Sequence, residues 1–276
     1  MRPPPKNRGT MPASRLTFSV VTLSLALTTC AAHAAAPCPA APLRVAFYET
    51  GYLSFGDKGV DRELVAELVR RSGCRIEALT PPRARAYAML QAGQVDIVTA
   101  ALVNHQRDSY AFFVPYMQQR FAIVLRRDTA AGIKTANAFA ARPALRFGAV
   151  RGVNYGGERD QWVARMERER RLEQGASPTT AFRMLGSGRF DAMFAIPLQY
   201  EKELADLDMQ NRVEIIDWFP DETAPLRTLA FSRKNFSADQ LQAWEGVVKS
   251  MQKDGFVKRV LEKYLTPKEV AKAVIK

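Results

Sequence analysis

The chain has 276 residues, 47% of them hydrophobic, with 40 Lys and Arg against 28 Asp and Glu and a formal net charge of +12. A length of this order suits one large domain or two modest ones. Past residue 36 the sequence holds a single histidine, His105, two cysteines and no Cys-x-x-Cys, which excludes the common zinc spacings and points to no metal or other cofactor.

The first segment reads as an export signal. Arg2, Lys6, Arg8 and Arg15 form a positive n-region, Leu16 to Thr29 is apolar and uncharged, and Ala32-His33-Ala34 or Ala34-Ala35-Ala36 fits the cleavage pattern. Residues 1–36 are therefore predicted to be a signal peptide and the mature chain periplasmic. Leu27-Thr28-Thr29-Cys30 is a faint lipoprotein signal, with Thr29 a poor residue before the cysteine. Without its four positives the formal charge falls from +12 to +8. That balance suits anionic small ligands or a negatively charged envelope surface. Export and the scatter of the arginines argue against nucleic acid. In an oxidising compartment Cys38 and Cys74 are expected to pair. They precede the first and second predicted strands, so they sit side by side if those strands are parallel neighbours. Closing a loop of about 35 residues contributes roughly 3–4 kcal/mol by chain entropy.

Leu43 to Glu49 reads as a strand, Gly51 to Gly59 as turns, and Asp61 to Ser72 as a helix stopped by Gly73. Ile76 to Leu79 is a short strand ended by Pro81-Pro82. Arg83 to Gln91 is helical with Gly93 as its cap, and Val95 to Ala101 is a nearly continuous apolar strand. A loop then carries Arg107 towards Phe113-Val114-Pro115-Tyr116. An arginine beyond the carboxyl end of a buried strand is where an open α/β sheet holds an anion. Strands follow at Phe121 to Arg126 and Leu145 to Val150, then a glycine-rich turn at Gly152 to Gly157, and helices around Asp160 to Arg170 and Thr179 to Leu185. Gly188-Arg189-Phe190-Asp191-Ala192 repeats the grammar of Gly93-Gln94-Val95-Asp96-Ile97, which predicts two lobes on one plan. Leu226 to Arg233 is a strand, and Ala238 to Tyr264 supplies a long helix and a shorter one. Apolar strands alternating with helices predict α/β lobes with mostly parallel sheets.

These residues resemble the bacterial extracellular solute-binding proteins, family 3, the periplasmic amino-acid-binding type. The resemblance is carried by Leu43-Arg44-Val45-Ala46, Tyr52-Leu53-Ser54-Phe55 before a Gly-Val-Asp-x-Glu-Leu helix, and Ala88 to Asp96. Arg107 ahead of Phe113 to Tyr116, Gly188 to Ala192, and Asp254-Gly255-Phe256 with Tyr264 complete it. It implies a two-lobed, class II type fold with a two-stranded hinge, closing over a ligand. One lobe would hold residues 37–117 and 225–276, the other 118–224. The resemblance also implies a monomer that passes its solute to the membrane permease of an ABC importer.

By the same resemblance Arg107 is expected to form a bidentate pair with the ligand's carboxylate, and Tyr52 to cover its side chain. Glu49 falls near the cleft mouth, as a ligand contact or a loop carboxylate. Of Arg83 and Arg85, one is expected to face the cleft and the other solvent or an acid within the lobe. Arg151 to Tyr155, with Asn154 and Tyr155 as candidates, form a turn at a helix start whose N–H groups suit an anion. Ile196 stands where amino-acid binders carry an aspartate for the α-ammonium, and an ammonium facing it would be buried unpaired. The implied ligand is a small carboxylate-bearing solute lacking the usual amine contact. A dehydratase-like enzyme on the same scaffold and a ligand-sensing component are the alternatives, and no motif nominates a catalytic residue.

Overall fold

The structure, a computed structural model, describes residues 1–4, 38–103 and 105–275. Apart from residues 1–4, the segment expected to be a signal peptide, Cys30 included, lies outside the described residues. The fold occupies the unit Ala34–Lys276.

The first lobe is built from β1 (Leu43–Ala46), α1 (Val60–Ser72), β2 (Ile76–Leu79), α2 (Arg83–Ala92), β3 (Ile97–Leu102), a 3₁₀ turn (His105–Arg107) and β4 (Ala111–Gln118). The chain then crosses to the second lobe. This contains β5 (Ala122–Arg126), α3 (Ala136–Ala140), β6 (Phe147–Val150), α4 (Gly157–Arg168), β7 (Leu172–Gly175), α5 (Pro178–Gly186), β8 (Ala192–Ala195), α6 (Pro197–Asp206) and β9 (Val213–Ile216). It returns as β10 (Leu226–Ser232) and ends in α7 (Ala238–Lys253), α8 (Phe256–Leu261) and α9 (Pro267–Ala273).

The two sheets have matching orders, β2-β1-β3-β10-β4 and β7-β6-β8-β5-β9. In each, four strands run one way and the fourth in order runs against its neighbours. The reversed strand is the one that has just arrived from the other lobe: β10 in the first sheet, β5 in the second. Gln119 N–H donates to the Pro225 carbonyl at 3.0 Å, tying the two crossing segments together.

The repeated G-x-[VF]-D segment has a structural cause. Gly93 and Gly188 both end or follow a helix at φ near +75° (75° and 73°), a conformation glycine adopts without steric cost. Each following aspartate then ties its strand to the parallel neighbour, at β1 in the first lobe and at the start of β6 in the second. Asp96 Oδ2 accepts from Arg44 N–H at 2.7 Å while Asp96 N–H donates to the Arg44 carbonyl at 2.8 Å. Asp191 makes the same reciprocal pair with Arg146, at 2.8 and 2.9 Å.

Cys38 and Cys74 form a disulfide, with Cα atoms 5.2 Å apart. It lies just ahead of β1 and β2, which are parallel neighbours with Leu43 opposite Ile76. Aromatic packing fills both cores. Trp244 lies against Phe231 and Phe236 in the first lobe, and Phe139, Phe147, Trp162 and Trp218 interlock in the second. No described helix is long and apolar enough to cross a membrane.

Candidate functional site

The lobes meet across a cleft, and the contacts are direct. Tyr52 N–H donates to the Leu198 carbonyl at 2.6 Å, and Gln199 Nε2 donates to Thr50 Oγ1 at 2.7 Å. Arg83 Nη1 donates to the Gly152 carbonyl at 2.6 Å. Between the lobes lies a cavity of about 430 Å³, within the ordinary range for small-molecule sites. Tyr48, Leu102, Phe121, Val150 and Val153 give it apolar walls; its charged residues are Arg83, Arg151, Arg227 and Glu49.

Arg83 reaches the cavity because Pro81-Pro82 ends the approach from β2 and starts α2 at Arg83. Two residues on, Arg85 points to solvent, so α2 commits one arginine to the cleft and one to the surface. Glu49 lies at the exposed rim, where it accepts the Gly56 N–H at 3.1 Å.

Arg227 is the residue that the sequence reasoning missed. It sits in β10, between Leu226 and Thr228, and is 5% exposed. Its guanidinium lies 5.6 Å from the Phe121 ring centroid, and Nη1 reaches the Ala100 carbonyl at 3.4 Å, at the long end for a hydrogen bond. Nε has no partner among the described residues. Ala100, at φ +51°, breaks the regular course of β3, and the β10 register shifts opposite it. Its carbonyl receives both Arg227 and the Tyr48 hydroxyl, the latter at 2.8 Å. Burial lowers the guanidinium's pKa, and the nearby charge of Arg83 lowers it further. The available signal was a single charged residue inside an otherwise apolar strand. Gln199 and Ser177 were also missed. Ser177 caps α5, accepting Thr180 N–H at 3.2 Å, and brings the positive end of that helix dipole to the cavity wall.

Arg107 does not line the cavity. Its guanidinium lies over the Tyr87 ring, 3.8 Å from the centroid, and Arg83 approaches the same ring at 5.4 Å. Tyr52 packs away from the cavity, with ring centroids 5.2 Å from Tyr264 and 5.6 Å from Phe55. Ile196 is fully buried at the start of α6, outside the cavity lining.

The turn at Arg151 to Tyr155 calls for a correction, because most of its N–H groups are already engaged. Arg151 N–H goes to the Gly175 carbonyl and Val153 N–H to the Val150 carbonyl. Asp160, in the first turn of α4, accepts from Tyr155 N–H at 2.8 Å and Gly156 N–H at 2.9 Å. The protein's own carboxylate fills the place foreseen for an external anion. Asn154 accepts the Gly156 N–H, and the Tyr155 hydroxyl accepts the Val150 N–H, so both residues brace the turn. Neither lines the cavity.

Beneath the site, Asp61 is fully buried and accepts the Tyr116 hydroxyl at 2.6 Å. Burial pushes its carboxyl up to about 6, against the opposing pull of that hydroxyl and of Arg227 and Arg62. The folded pKa lies above the usual 3.8, so the fold favours the protonated form. The associated stability is complete below about pH 4 and is lost as pH rises through about 6. Asp61→Asn is expected to lose this dependence, worth up to about 3 kcal/mol. Urea unfolding of both proteins at about pH 4.5 and 7.5 measures it; an identical pH dependence in wild type and variant would refute the assignment.

The profile of the bacterial extracellular solute-binding proteins, family 3, matches residues 46–267. No curated protein matches the chain. Among solved structures, an ancestral arginine-binding protein bound to arginine is 21% identical with a TM-score of 0.67, covering 82% of this chain and 98% of its own. The ancestral amino-acid-binding protein AncCDT-1, a precursor of cyclohexadienyl dehydratase, is 22% identical with a TM-score of 0.66, over 82% and 95%. The arginine-, lysine-, histidine-binding protein ArtJ from the thermophilic bacterium Geobacillus stearothermophilus is 14% identical with a TM-score of 0.67, over 82% and 95%. At these identities the likeness is one of fold, and it is the fold described above. The chain belongs to the bacterial extracellular solute-binding proteins, family 3.

Proposed function

We propose that this chain is a periplasmic binding protein that captures a small carboxylate-bearing solute between its lobes and presents it to the permease of an ABC importer. The observation that carries the reading is the charge of the cleft: Arg83, Arg151 and Arg227 against the single carboxylate of Glu49. Guanidinium groups match carboxylates in shape and charge, and a partly enclosed cavity strengthens the pairing. Two of the solved relatives are named for arginine binding, so the same fold there takes a cationic amino acid. A cationic side chain is poorly matched to a cavity that itself carries arginines, and no acid of this cavity is enclosed, since Glu49 is exposed. The proposed grip uses Arg83 and Arg227, with Arg107 holding the Tyr87 ring from behind.

Thermal-shift and calorimetric titration against a panel of small organic acids and amino acids tests the reading. A saturating acid is expected to stabilise the protein, by about 2.7 kcal/mol at a hundredfold excess over Kd. Arginine and lysine are expected to leave it unmoved. Stabilisation by cationic amino acids alone would overturn the proposal.

A further inference from the structure

Two arginines of the cavity have no counter-ion. Arg227, 5% exposed, has only the long contact to the Ala100 carbonyl and an unpartnered Nε. Arg83, half-buried, donates to the neutral carbonyl of Gly152. Neither forms an ion pair with a carboxylate among the described residues. The other charges of the cavity, Glu49 and Arg151, are both exposed. Asp61 lies within electrostatic reach of Arg227, but it accepts the Tyr116 hydroxyl and does not line the cavity. The enclosed part of the cavity lining thus holds two guanidinium groups and no carboxylate.

A single carboxylate bound to one guanidinium would leave the other in the partly enclosed cavity with no carboxylate in contact, which is costly. We infer that the solute is a dianion, a small dicarboxylate with one carboxylate on Arg83 at the cleft wall and the other on Arg227 at its floor. The inference rests on the solute-binding reading above. The apolar walls of the cavity, Leu102, Phe121, Val150 and Val153, suit a short hydrocarbon spacer. The volume of about 430 Å³ accommodates a chain of a few carbons.

Isothermal titration at low ionic strength with succinate, glutarate, butyrate and the monoamide glutaramate separates the possibilities. Glutarate or succinate is expected to bind the wild-type chain about 10- to 100-fold more tightly than the monoamide or butyrate, the range for a charged hydrogen-bonded contact. In Arg227→Gln and in Arg83→Gln that gap is expected to shrink to about threefold or less, with circular dichroism confirming the fold. Arg83 is the less buried of the two, so its variant carries the test if Arg227→Gln fails to fold. Equal affinity for dicarboxylate and monoamide in the wild type would overturn the dianion while leaving a carboxylate-binding protein. A dicarboxylate preference that survives both substitutions would also overturn it. Binding of none of these acids removes the dianion, and with a silent organic-acid panel it removes the underlying reading as well.

Discussion

Gly51→Ala is expected to hold the lobes apart and to weaken ligand binding by about 5- to 150-fold, the equivalent of roughly 1–3 kcal/mol of overpacking. A Cβ at Gly51 would stand 2.2 Å from the Leu198 carbonyl oxygen and 2.6 Å from Gln199 Cα. These are backbone atoms of the opposite lobe, so no side chain can swing aside to make room. The neighbouring hydrogen bonds, Tyr52 N–H to the Leu198 carbonyl and Gln199 to Thr50, belong to the same seam and would lengthen together. Binding that requires the closed arrangement is reduced by the fraction of molecules able to reach it.

Gly51 also has φ +54°, and alanine there carries a conformational cost unrelated to the seam. Gly56→Ala is the matching control: its φ is +57°, and a Cβ would meet nothing within 4 Å. The difference between the two variants isolates the contact between lobes. Spin-label distances across the cleft report the separation directly, without need of a ligand. Equal cleft distances and affinities in the two variants would show that Gly51 does not gate closure.

Much of this fold was legible because local and global requirements coincide. The helix ending at Gly73, the strand Ile76 to Leu79 and the helix Arg83 to Ala92 are short segments bounded by glycine or proline, and they stand almost where expected. The repeated glycine and aspartate were visible as a repeat; their reciprocal pairing with Arg44 and Arg146 needed the fold. β4 was not among the predicted strands, and its Pro115 lacks the N–H that a strand interior uses. It is tolerated there because the register of β10 on β4 shifts beside it, at Arg227 and Thr228.

The site was less legible than the fold, and the reason is directional. Chain position placed Arg107 after a buried strand, but a 3₁₀ turn aims its guanidinium at Tyr87. Arg227 lies more than a hundred residues away in sequence and enters the cavity only because β10 returns from the other lobe between β3 and β4. Ile196, expected at the place of a ligand-binding aspartate, fared similarly: α6 begins there, its side chain is buried, and Gln199 three residues on lines the cleft instead. For the turn at Arg151, glycine content suggested free N–H groups, whereas the deciding residue was Asp160, within the helix that follows.

Glu222→Ala is expected to be the most destabilising of the single substitutions considered, by about 3–5 kcal/mol. Glu222 lies in the return crossing between β9 and β10 and pairs with Arg159, whose side chain is 2% exposed against 15% for the glutamate. It also accepts the Glu158 N–H in the first turn of α4, so one carboxylate serves a buried guanidinium and a helix start. Burial already lowers the pKa of Arg159, and two of its nitrogens have no partner among the described residues. Removing the carboxylate strands a buried charge, the costly way to break such a pair. Replacing both partners removes the charge as well, so Arg159→Met combined with Glu222→Ala is expected to recover most of the loss. Urea unfolding of the two single variants and the double variant completes the cycle. A loss below about 0.5 kcal/mol in Glu222→Ala, within the range of ordinary surface substitutions, would show that the pair does not anchor the crossing. The anchoring matters for closure, because Trp218 in the same segment packs on Phe139 and Trp162, and the two contacts together fasten the return strand to the second lobe. With that end fixed, rotation between the lobes is confined to the short stretch from Thr223 to Pro225 and its partner around Gln119. Glu222→Ala is therefore also expected to broaden the distribution of cleft distances, where Gly51→Ala shifts its mean.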